Sequence, residues 1–350
     1  MDTDGYELPF LSNVGLMVTY KCSVACPHCI VEAGPHRTQE MRLDQALVWI
    51  DQARSYRDGF IQALCLTGGE PFYSPELLTR ISEHGRALGF IVSVVTNAFW
   101  ASSREAALRT LALAPAIQAL TISTDAYHQQ AIPFEYARNA VEAARELKRV
   151  YTISVCTDND QDPAHLEVVR QLEAMGESDN IRVAITLPVG RARHQAHALR
   201  YSISSEPPVT ACPVASSPVI FPNGDVIACI GPLLTLPPMH PLYLGNLGRE
   251  PLSAILDRAE VNTILHTIRV WGPHKLVVML KENGYDALLP REYISNAGCD
   301  ACYKLLSDAR IVAALQAIFR DEELTRTVAY GRVYYLKETA MAEQLHLTLL

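Results

Sequence analysis

The chain has 350 residues, of which 49% are hydrophobic and 19% are charged. This composition is ordinary for a soluble globular protein, and the length allows one large core or two smaller ones. The formal net charge of −8 excludes a global electrostatic attraction to nucleic acid or to anionic membranes, so we expect neither as a partner.

The beginning of the chain and its cysteine content indicate a cellular compartment. Residues 1–9 are acidic and lack the basic and apolar regions of a secretory signal. No apolar run is long enough to span a membrane. Nine cysteines in a chain without an export signal favour metal binding over disulfides. We therefore expect a cytoplasmic protein with metal-binding cysteines.

Short apolar runs alternate with amphipathic helical stretches from Val14 to about Leu187. Such alternation predicts βαβ units and a parallel sheet. Six units predict an α/β fold, a partial (β/α)6 TIM-like barrel, with the active site at the C-terminal ends of the strands. The predicted strands are Val14–Tyr20, Ile61–Leu66, Phe90–Thr96, Ile117–Ser123, Thr152–Thr157 and Ile181–Leu187. The predicted helices cover about 43–56, 75–88, 102–113, 134–149 and 164–175.

The most informative stretch is the loop Cys22-Ser-Val-Ala-Cys26-Pro-His-Cys29, which directly follows the first predicted strand. Three thiolates on one short loop can hold a cubane iron–sulfur cluster, because each sulfur binds one iron. A [4Fe–4S] cluster takes four ligands, so three cysteines leave one iron open, as in catalytic metal sites. A structural zinc site completed by His28 or His36 is the alternative that the spacing leaves open.

A second motif, Gly68-Gly69-Glu70, follows the second predicted strand. Two glycines allow close backbone approach, and bared carbonyls with a carboxylate suit a cationic amino group. The cysteine loop followed by this turn resembles the signature of the radical SAM superfamily, in which the open iron binds S-adenosylmethionine (SAM).

The resemblance implies a [4Fe–4S] cluster on the three loop cysteines and a methionine amino group held by Gly68, Gly69 and Glu70. It also implies reductive cleavage of SAM to a 5′-deoxyadenosyl radical that abstracts a hydrogen atom from the substrate. His28 replaces the aromatic residue that usually precedes the third cysteine, and its planar ring could pack near adenine.

Polar residues at other strand ends are further candidates for cofactor contacts. Asn97 closes the third predicted strand and could hydrogen-bond a ligand, although an asparagine is also common in turns. The fourth strand runs into Ser123-Thr-Asp125, which resembles the S-x-D segment that lines the SAM ribose in radical SAM enzymes. The resemblance implies that Ser123 and Asp125 contact the cofactor.

Cys156 lies in the fifth predicted strand, with Ser154 on the same face. If that face lines the barrel, Cys156 could donate a hydrogen atom to a substrate radical. The alternative is a small buried apolar side chain, which is how a free cysteine usually behaves.

The segment after the sixth strand, Pro188-Val-Gly-Arg-Ala192, resembles one found in radical SAM enzymes that carry a second cluster domain. Arg191, Arg193 and Arg200 form a basic stretch that could hold a substrate carboxylate, and a solvated loop is the alternative. Residues 202–208 are polar and predict a linker, so we assign residues 1–200 to the barrel.

Four further cysteines follow this linker. Cys212 and Cys229 flank two apolar runs around Pro-Asn-Gly-Asp, a β-hairpin signal that can bring them together. Cys299-Asp-Ala-Cys302 precedes a predicted helix from about Leu305. Four thiolates make a closed site, which suits zinc and an iron–sulfur cluster alike.

The spacing around Cys212 and Cys229, and the segment Leu244–Leu247 before a predicted helix, resemble SPASM and twitch domains. The resemblance implies one auxiliary [4Fe–4S] cluster on the four cysteines. We predict a small hairpin-plus-helix auxiliary domain at 201–305 and a helical extension at 306–350. The long segment 230–298 could form a substrate lid.

These features predict a radical SAM enzyme that modifies a peptide, by oxidation or epimerisation, with a flavodoxin- or ferredoxin-type electron donor. One alternative is a dehydrogenase or epimerase for a small molecule such as an aminocyclitol or sugar. A non-catalytic iron–sulfur or zinc protein is the other. An auxiliary electron acceptor favours net oxidation, whereas a hydrogen donor such as Cys156 permits epimerisation.

Overall fold

A computed structural model describes residues 11–234, 236–339, 341 and 345. The chain divides into two compact units. The barrel unit is built from Val14–Tyr201 with Ile220–Gly224, and the second unit contains Ser202–Val219 and the chain from Asp225 onward.

Six strands in chain order form the sheet of the barrel unit, and the neighbouring pairs from the second to the sixth strand are parallel. Alternate side chains such as Val92, Val94 and Ile153 are fully buried, as expected for strands covered by helices. The strands are β1 (Asn13–Thr19), β2 (Ala63–Gly68), β3 (Ile91–Thr96), β4 (Ala119–Ser123), β5 (Val150–Thr157) and β6 (Ile181–Ile185).

A helix follows each of the first five strands and packs an apolar face on the sheet. Helix packing uses small side chains where it is tight: Ala140, Val141 and Ala144 of one helix are fully buried. Ser103 and Asp162 cap two helix starts by accepting hydrogen bonds from backbone N–H groups. The helices are α1 (Leu43–Ser55), α2 (Pro75–Ala87), α3 (Arg104–Ala112), α4 (Phe134–Glu146) and α5 (Pro163–Ala174).

The register of the sheet brings the C-terminal strand ends to one edge. Thr96 pairs with Ile122, and Ser123 pairs with Ser154. Because the pairs are parallel, the residues that follow each strand lie at the same edge. The predicted α/β fold with a partial TIM-like barrel is confirmed.

The second unit combines short strands with six helices among the described residues. A hairpin joins β8 to β9, as the Pro-Asn-Gly-Asp signal predicted, and β9 pairs antiparallel with β10. The strands are β7 (Ile203–Ser204), β8 (Val219–Ile220), β9 (Asp225–Ile227), β10 (Tyr243–Asn246) and β11 (Tyr293–Ile294). The helices are α6 (Leu252–Glu260), α7 (Thr263–Trp271), α8 (Pro273–Glu282), α9 (Gly298–Leu306), α10 (Ala309–Ile318) and α11 (Glu322–Leu336).

The segment 230–298 supplies much of the core of this unit. Leu265 and Ile268 of α7 and Leu276 and Leu280 of α8 are essentially inaccessible to solvent. Helices α7 and α8 are therefore core elements of this unit. In the part of the chain that the structure describes, no helix has the length and apolarity needed to cross a membrane.

Candidate active site

The loop that carries Cys22, Cys26 and Cys29 begins three residues after β1 ends at Thr19. Burial raises the pKa of Cys22 to about 11 and that of Cys26 to about 12, and the neighbouring thiols add to the shift at Cys26. None of the nine cysteines, which all lie among the described residues, forms a disulfide. Such thiols become thiolates only when a cation compensates their charge, as iron in a cluster does.

Gly68, the last residue of β2, and Gly69, which follows it, fix the start of this loop through the backbone. The N–H of Gly69 donates to the carbonyl of Thr19 at 2.6 Å, and the N–H of Glu70 donates to that of Lys21 at 2.8 Å. A Cβ atom on Gly68 would lie 2.4 Å from the Thr19 oxygen, and one on Gly69 would lie 2.2 Å from the Lys21 oxygen. Only glycine permits this approach, so the motif fastens β2 to the residues that precede Cys22.

The Glu70 carboxylate is fully buried, and its hydrogen bonds tie β2 to the end of β3. It accepts from the backbone N–H of Asn97 at 2.7 Å, from that of Phe72 at 3.1 Å and from the Thr96 hydroxyl at 3.0 Å. Burial raises the pKa of Glu70 to about 7, although these donors oppose the shift. The carboxylate therefore organises the strand ends within the site.

Asn97 connects this network to the cysteine loop. Its side-chain Nδ2 lies 3.5 Å from the Cys22 sulfur and donates to it. The backbone N–H of Ala33 donates in the same way to the Cys29 sulfur at 3.3 Å. N–H donors aimed at thiolate sulfurs stabilise their negative charge and tune a bound metal.

The segment that follows β6 contacts the cysteine loop, although the two are far apart in the sequence. The Arg191 guanidinium donates to the carbonyls of Cys26 at 2.6 Å and Ala33 at 2.5 Å, and the Arg191 N–H donates to the Cys29 carbonyl at 3.0 Å. Gly190 has φ of +54°, and a Cβ there would lie 2.4 Å from the Ile30 oxygen. Arg191 is thus a clamp on the loop. From the sequence, Arg191 belonged to a basic stretch that could hold a substrate carboxylate or form a solvated loop, whereas in the structure its guanidinium contacts the cysteine loop.

The residues after β4 form a compact group around Asp125. Its buried carboxylate accepts from His128 Nδ1 at 2.8 Å, from the Tyr127 N–H at 3.0 Å and from the Cys156 N–H at 3.2 Å. Burial alone would raise the pKa of Asp125, but the hydrogen bond and charge of His128 outweigh it and lower the pKa. His28 stacks on Tyr127 with ring centroids 4.7 Å apart.

Ser123 and Cys156 stand at the ends of neighbouring strands. Ser123 is half-buried at the last position of β4, opposite Ser154. Burial raises the pKa of Cys156 to about 12, and the charges of Asp125 and Cys26 add to the shift. The thiol of Cys156 therefore keeps its hydrogen at neutral pH. The role of Ser123 in cofactor binding and the role of Cys156 in hydrogen donation remain predictions.

In the second unit the four remaining candidate ligands come together from three separate stretches of chain. Burial raises the pKa of Cys229 to about 12, and the thiols of Cys212 and Cys299 add to that shift. Burial likewise raises the pKa of Cys302, again with contributions from the other three thiols. The four thiols therefore lie near one another, with Cys299 exposed and the other three partly buried.

His28, Asp125 and His128 form a further group of ligand-type side chains among the described residues. Their donor atoms all lie within 4.8 Å of one another. The four thiols of the second unit suit a zinc ion and an iron–sulfur cluster alike.

Comparisons with known proteins agree with this geometry. The chain is 22% identical over 309 residues to a putative peptide biosynthesis protein, YydG, of Bacillus subtilis (strain 168), covering 85% of this chain and 92% of that protein. The structure of native anSMEcpe with bound AdoMet superposes with a TM-score of 0.54 at 13% identity, covering 90% of this chain and 99% of that one. A second structure of native anSMEcpe, with AdoMet and the Cp18Cys peptide, superposes with a TM-score of 0.52 at 13% identity. The match covers 90% of this chain and 98% of that one.

The model of the Radical SAM superfamily matches residues 16–200, which contain the cysteine loop, the Gly-Gly-Glu turn and the Arg191 clamp. Members of this family use a [4Fe–4S] cluster and SAM. The matched residues and the site geometry support one conclusion: the chain belongs to the radical SAM superfamily and is a radical SAM enzyme.

Proposed function

We propose that this enzyme modifies a peptide. The observation that carries the proposal is the match to the putative peptide biosynthesis protein YydG over 92% of that relative's length, well beyond the barrel unit. One structure of anSMEcpe, which has a similar fold, contains both AdoMet and a peptide. A site of this fold is therefore compatible with a peptide substrate.

In the barrel unit, Cys22, Cys26 and Cys29 would hold three irons of a [4Fe–4S] cluster and leave the fourth for SAM. When bound, these cofactors supply a 5′-deoxyadenosyl radical that removes a hydrogen atom from the substrate. The carbonyls of Gly68 and Gly69 would accept hydrogen bonds from the methionine amino group. Glu70 would hold the surrounding backbone through its hydrogen bonds with the N–H groups of Phe72 and Asn97. Ser123, Asp125 and Asn97 would line the rest of the cofactor site.

In the second unit, Cys212, Cys229, Cys299 and Cys302 would hold one auxiliary [4Fe–4S] cluster. The mutual influence of the four thiols on their pKa values supports a metal centre at this place. A zinc ion is the alternative occupant, because four thiolates suit it equally. Four protein ligands leave no open iron, so the chemistry that such a cluster supplies is electron transfer.

Hydrogen donation by Cys156 would determine whether the substrate radical is epimerised or oxidised. Its protonated thiol can give a hydrogen atom to the carbon radical, which forms a C–H bond and leaves a thiyl radical. One electron from a flavodoxin- or ferredoxin-type donor and one proton from water then restore the thiol. This route inverts the carbon without net oxidation. Loss of one further electron and one proton from the substrate radical gives oxidation instead.

The test is an anaerobic assay of reconstituted enzyme, SAM and dithionite with a panel of short synthetic peptides in D2O. Peptide modification predicts 5′-deoxyadenosine together with a changed peptide. Epimerisation adds one deuterium from the exchangeable Cys156 thiol, whereas oxidation removes two hydrogens. Rapid turnover of an aminocyclitol or sugar, with every peptide unchanged, would contradict the proposal.

A further inference from the structure

The second unit contains a buried ionic network that none of the predicted chemistry uses. Arg269 of α7 is 2% exposed, Arg332 of α11 is 3% exposed and Glu338 is 5% exposed. Arg269 and Arg332 both form ion pairs with the Glu338 carboxylate, and Arg332 also pairs with Glu260. Two cations and two anions therefore compensate one another away from water, which requires well-made hydrogen bonds.

The remaining donors of the network are also satisfied. Arg269 Nη1 donates to His266 Nδ1 at 2.9 Å, so the neutral ring carries its hydrogen on Nε2 and donates it to the Glu260 carbonyl at 2.8 Å. Arg332 Nη1 donates to the same carbonyl at 3.0 Å. The network thus fixes the guanidinium of Arg269 in a single orientation.

One end of this network reaches the turn that carries Cys212. Arg269 Nε donates to the Ser216 hydroxyl at 2.8 Å, and Ser216 ends the short 3-10 turn that begins after Cys212. The residue before Arg269 contributes as well, since the Ile268 carbonyl accepts from the Cys212 N–H at 3.2 Å.

We propose that Arg269 is a positioning residue for Cys212, and that the C-terminal helix α11 with Glu338 holds Arg269 in place. The C-terminal segment would then be a working part of the four-cysteine site. This proposal rests on the proposed function only in requiring that the site binds a metal. The buried guanidinium would keep the Cys212 turn in its metal-binding conformation and would stabilise negative charge on a reduced cluster.

The experiment uses the full chain with Cys22, Cys26 and Cys29 replaced by alanine, so that every metal signal comes from the second site. Into this background we place Arg269→Met, Arg269→Lys and Glu338→Gln. The control is Glu250→Gln, which removes a carboxylate from the exposed pair with Arg258 in the same unit. The readouts are the half-time of metal loss to a chelator and the midpoint potential of the cluster.

We expect metal loss to be about 10-fold to 100-fold faster in Arg269→Met and Glu338→Gln than in the control, as for other outer-shell partners. Their midpoint potentials should move in opposite directions. Losing the cation disfavours reduction, whereas losing the carboxylate leaves excess positive charge and favours it. Arg269→Lys keeps the charge but not the forked geometry, so it should lose metal faster with little change in potential.

A shared shift of potential in one direction, or metal retention equal to that of Glu250→Gln, would overturn the proposal. General unfolding would accelerate loss in all variants without producing opposite potential shifts. If the site holds zinc, the auxiliary cluster of the proposed function fails, whereas the retention half-times still decide whether Arg269 positions Cys212.

Discussion

The two cysteine sites of this molecule are built in different ways. Cys22, Cys26 and Cys29 come from one short loop, and the backbone of neighbouring strand ends holds that loop in place. Cys212, Cys229, Cys299 and Cys302 come from distant stretches, and buried side chains hold their surroundings. A local loop with three ligands leaves a coordination position for a substrate or cofactor, whereas a closed set of four suits electron transfer or structure.

The largest expected effect separates the sites by function. Replacing Cys22, Cys26 and Cys29 by alanine should abolish formation of 5′-deoxyadenosine, because the open iron is lost. Replacing Cys212 and Cys302 by alanine should leave SAM cleavage measurable while product formation falls. Chromatography of both products in single-turnover assays checks this. Equal loss of SAM cleavage in the two variants would show that the sites do not have separate roles.

The next largest effect is expected from the close backbone contact between Gly190 and the cysteine loop. Gly190→Ala places a Cβ 2.4 Å from the Ile30 oxygen, and it should displace the Arg191 clamp and lower the iron content of the barrel site severalfold. The matched control is Gly176→Ala, which also has positive φ but has nothing within 4 Å of the new Cβ. The control should cost about 1–2 kcal/mol of stability and retain its iron. Equal iron in the two variants would contradict the clamp.

A smaller effect is expected from the hydrogen bond between Asn97 and Cys22. Asn97→Ala removes the donor to the thiolate sulfur and should weaken cluster retention about 10-fold to 100-fold. Asn139→Ala is the control, because its amide donates to the Ala101 carbonyl instead of a thiol. Chelator challenge at the barrel site measures both, and matching half-times would show that the bond has no tuning role.

The smallest effect concerns acid sensitivity of the second unit. Burial and the nearby Arg332 and Arg269 charges lower the pKa of His266 far below 6.5, so the folded protein keeps it neutral. The unfolded chain binds a proton below pH 6.5, so His266 stabilises the fold above that pH and loses this stabilisation as pH falls. Below pH 6.5, His266 should contribute about 1.4 kcal/mol per pH unit to the loss of unfolding free energy, and His266→Asn should reduce the slope measured by denaturation by that amount. An unchanged slope would contradict this.

The sequence predicted the barrel well because its signals are local. The third strand was expected to end at Thr96, and it does. The second strand begins and ends two residues later than its apolar run suggests, because the strand includes Thr67 and Gly68. Apolar runs and glycine turns act over a few residues, which is the range that periodicity can detect.

The side-chain partners in the sites could not be predicted in the same way. Arg191 donates to Cys26 across 165 residues, and Arg269 pairs with Glu338 across 69. No pattern of hydrophobicity or spacing links such positions, because the fold alone brings them together. The cysteine ligands could be predicted from the sequence because the chemistry of clustered cysteines allows few roles. An arginine has many ordinary roles, so its contacts could not be predicted.

We propose that the chain holds two iron–sulfur clusters in two differently built sites. Iron and sulfide analysis with EPR on anaerobically reconstituted protein tests it most directly, with and without SAM. We predict about eight irons in the wild type and about four in the Cys22/Cys26/Cys29→Ala variant, with SAM perturbing only the wild-type spectrum. About four irons in the wild type, none in the variant and zinc in both would contradict the auxiliary cluster.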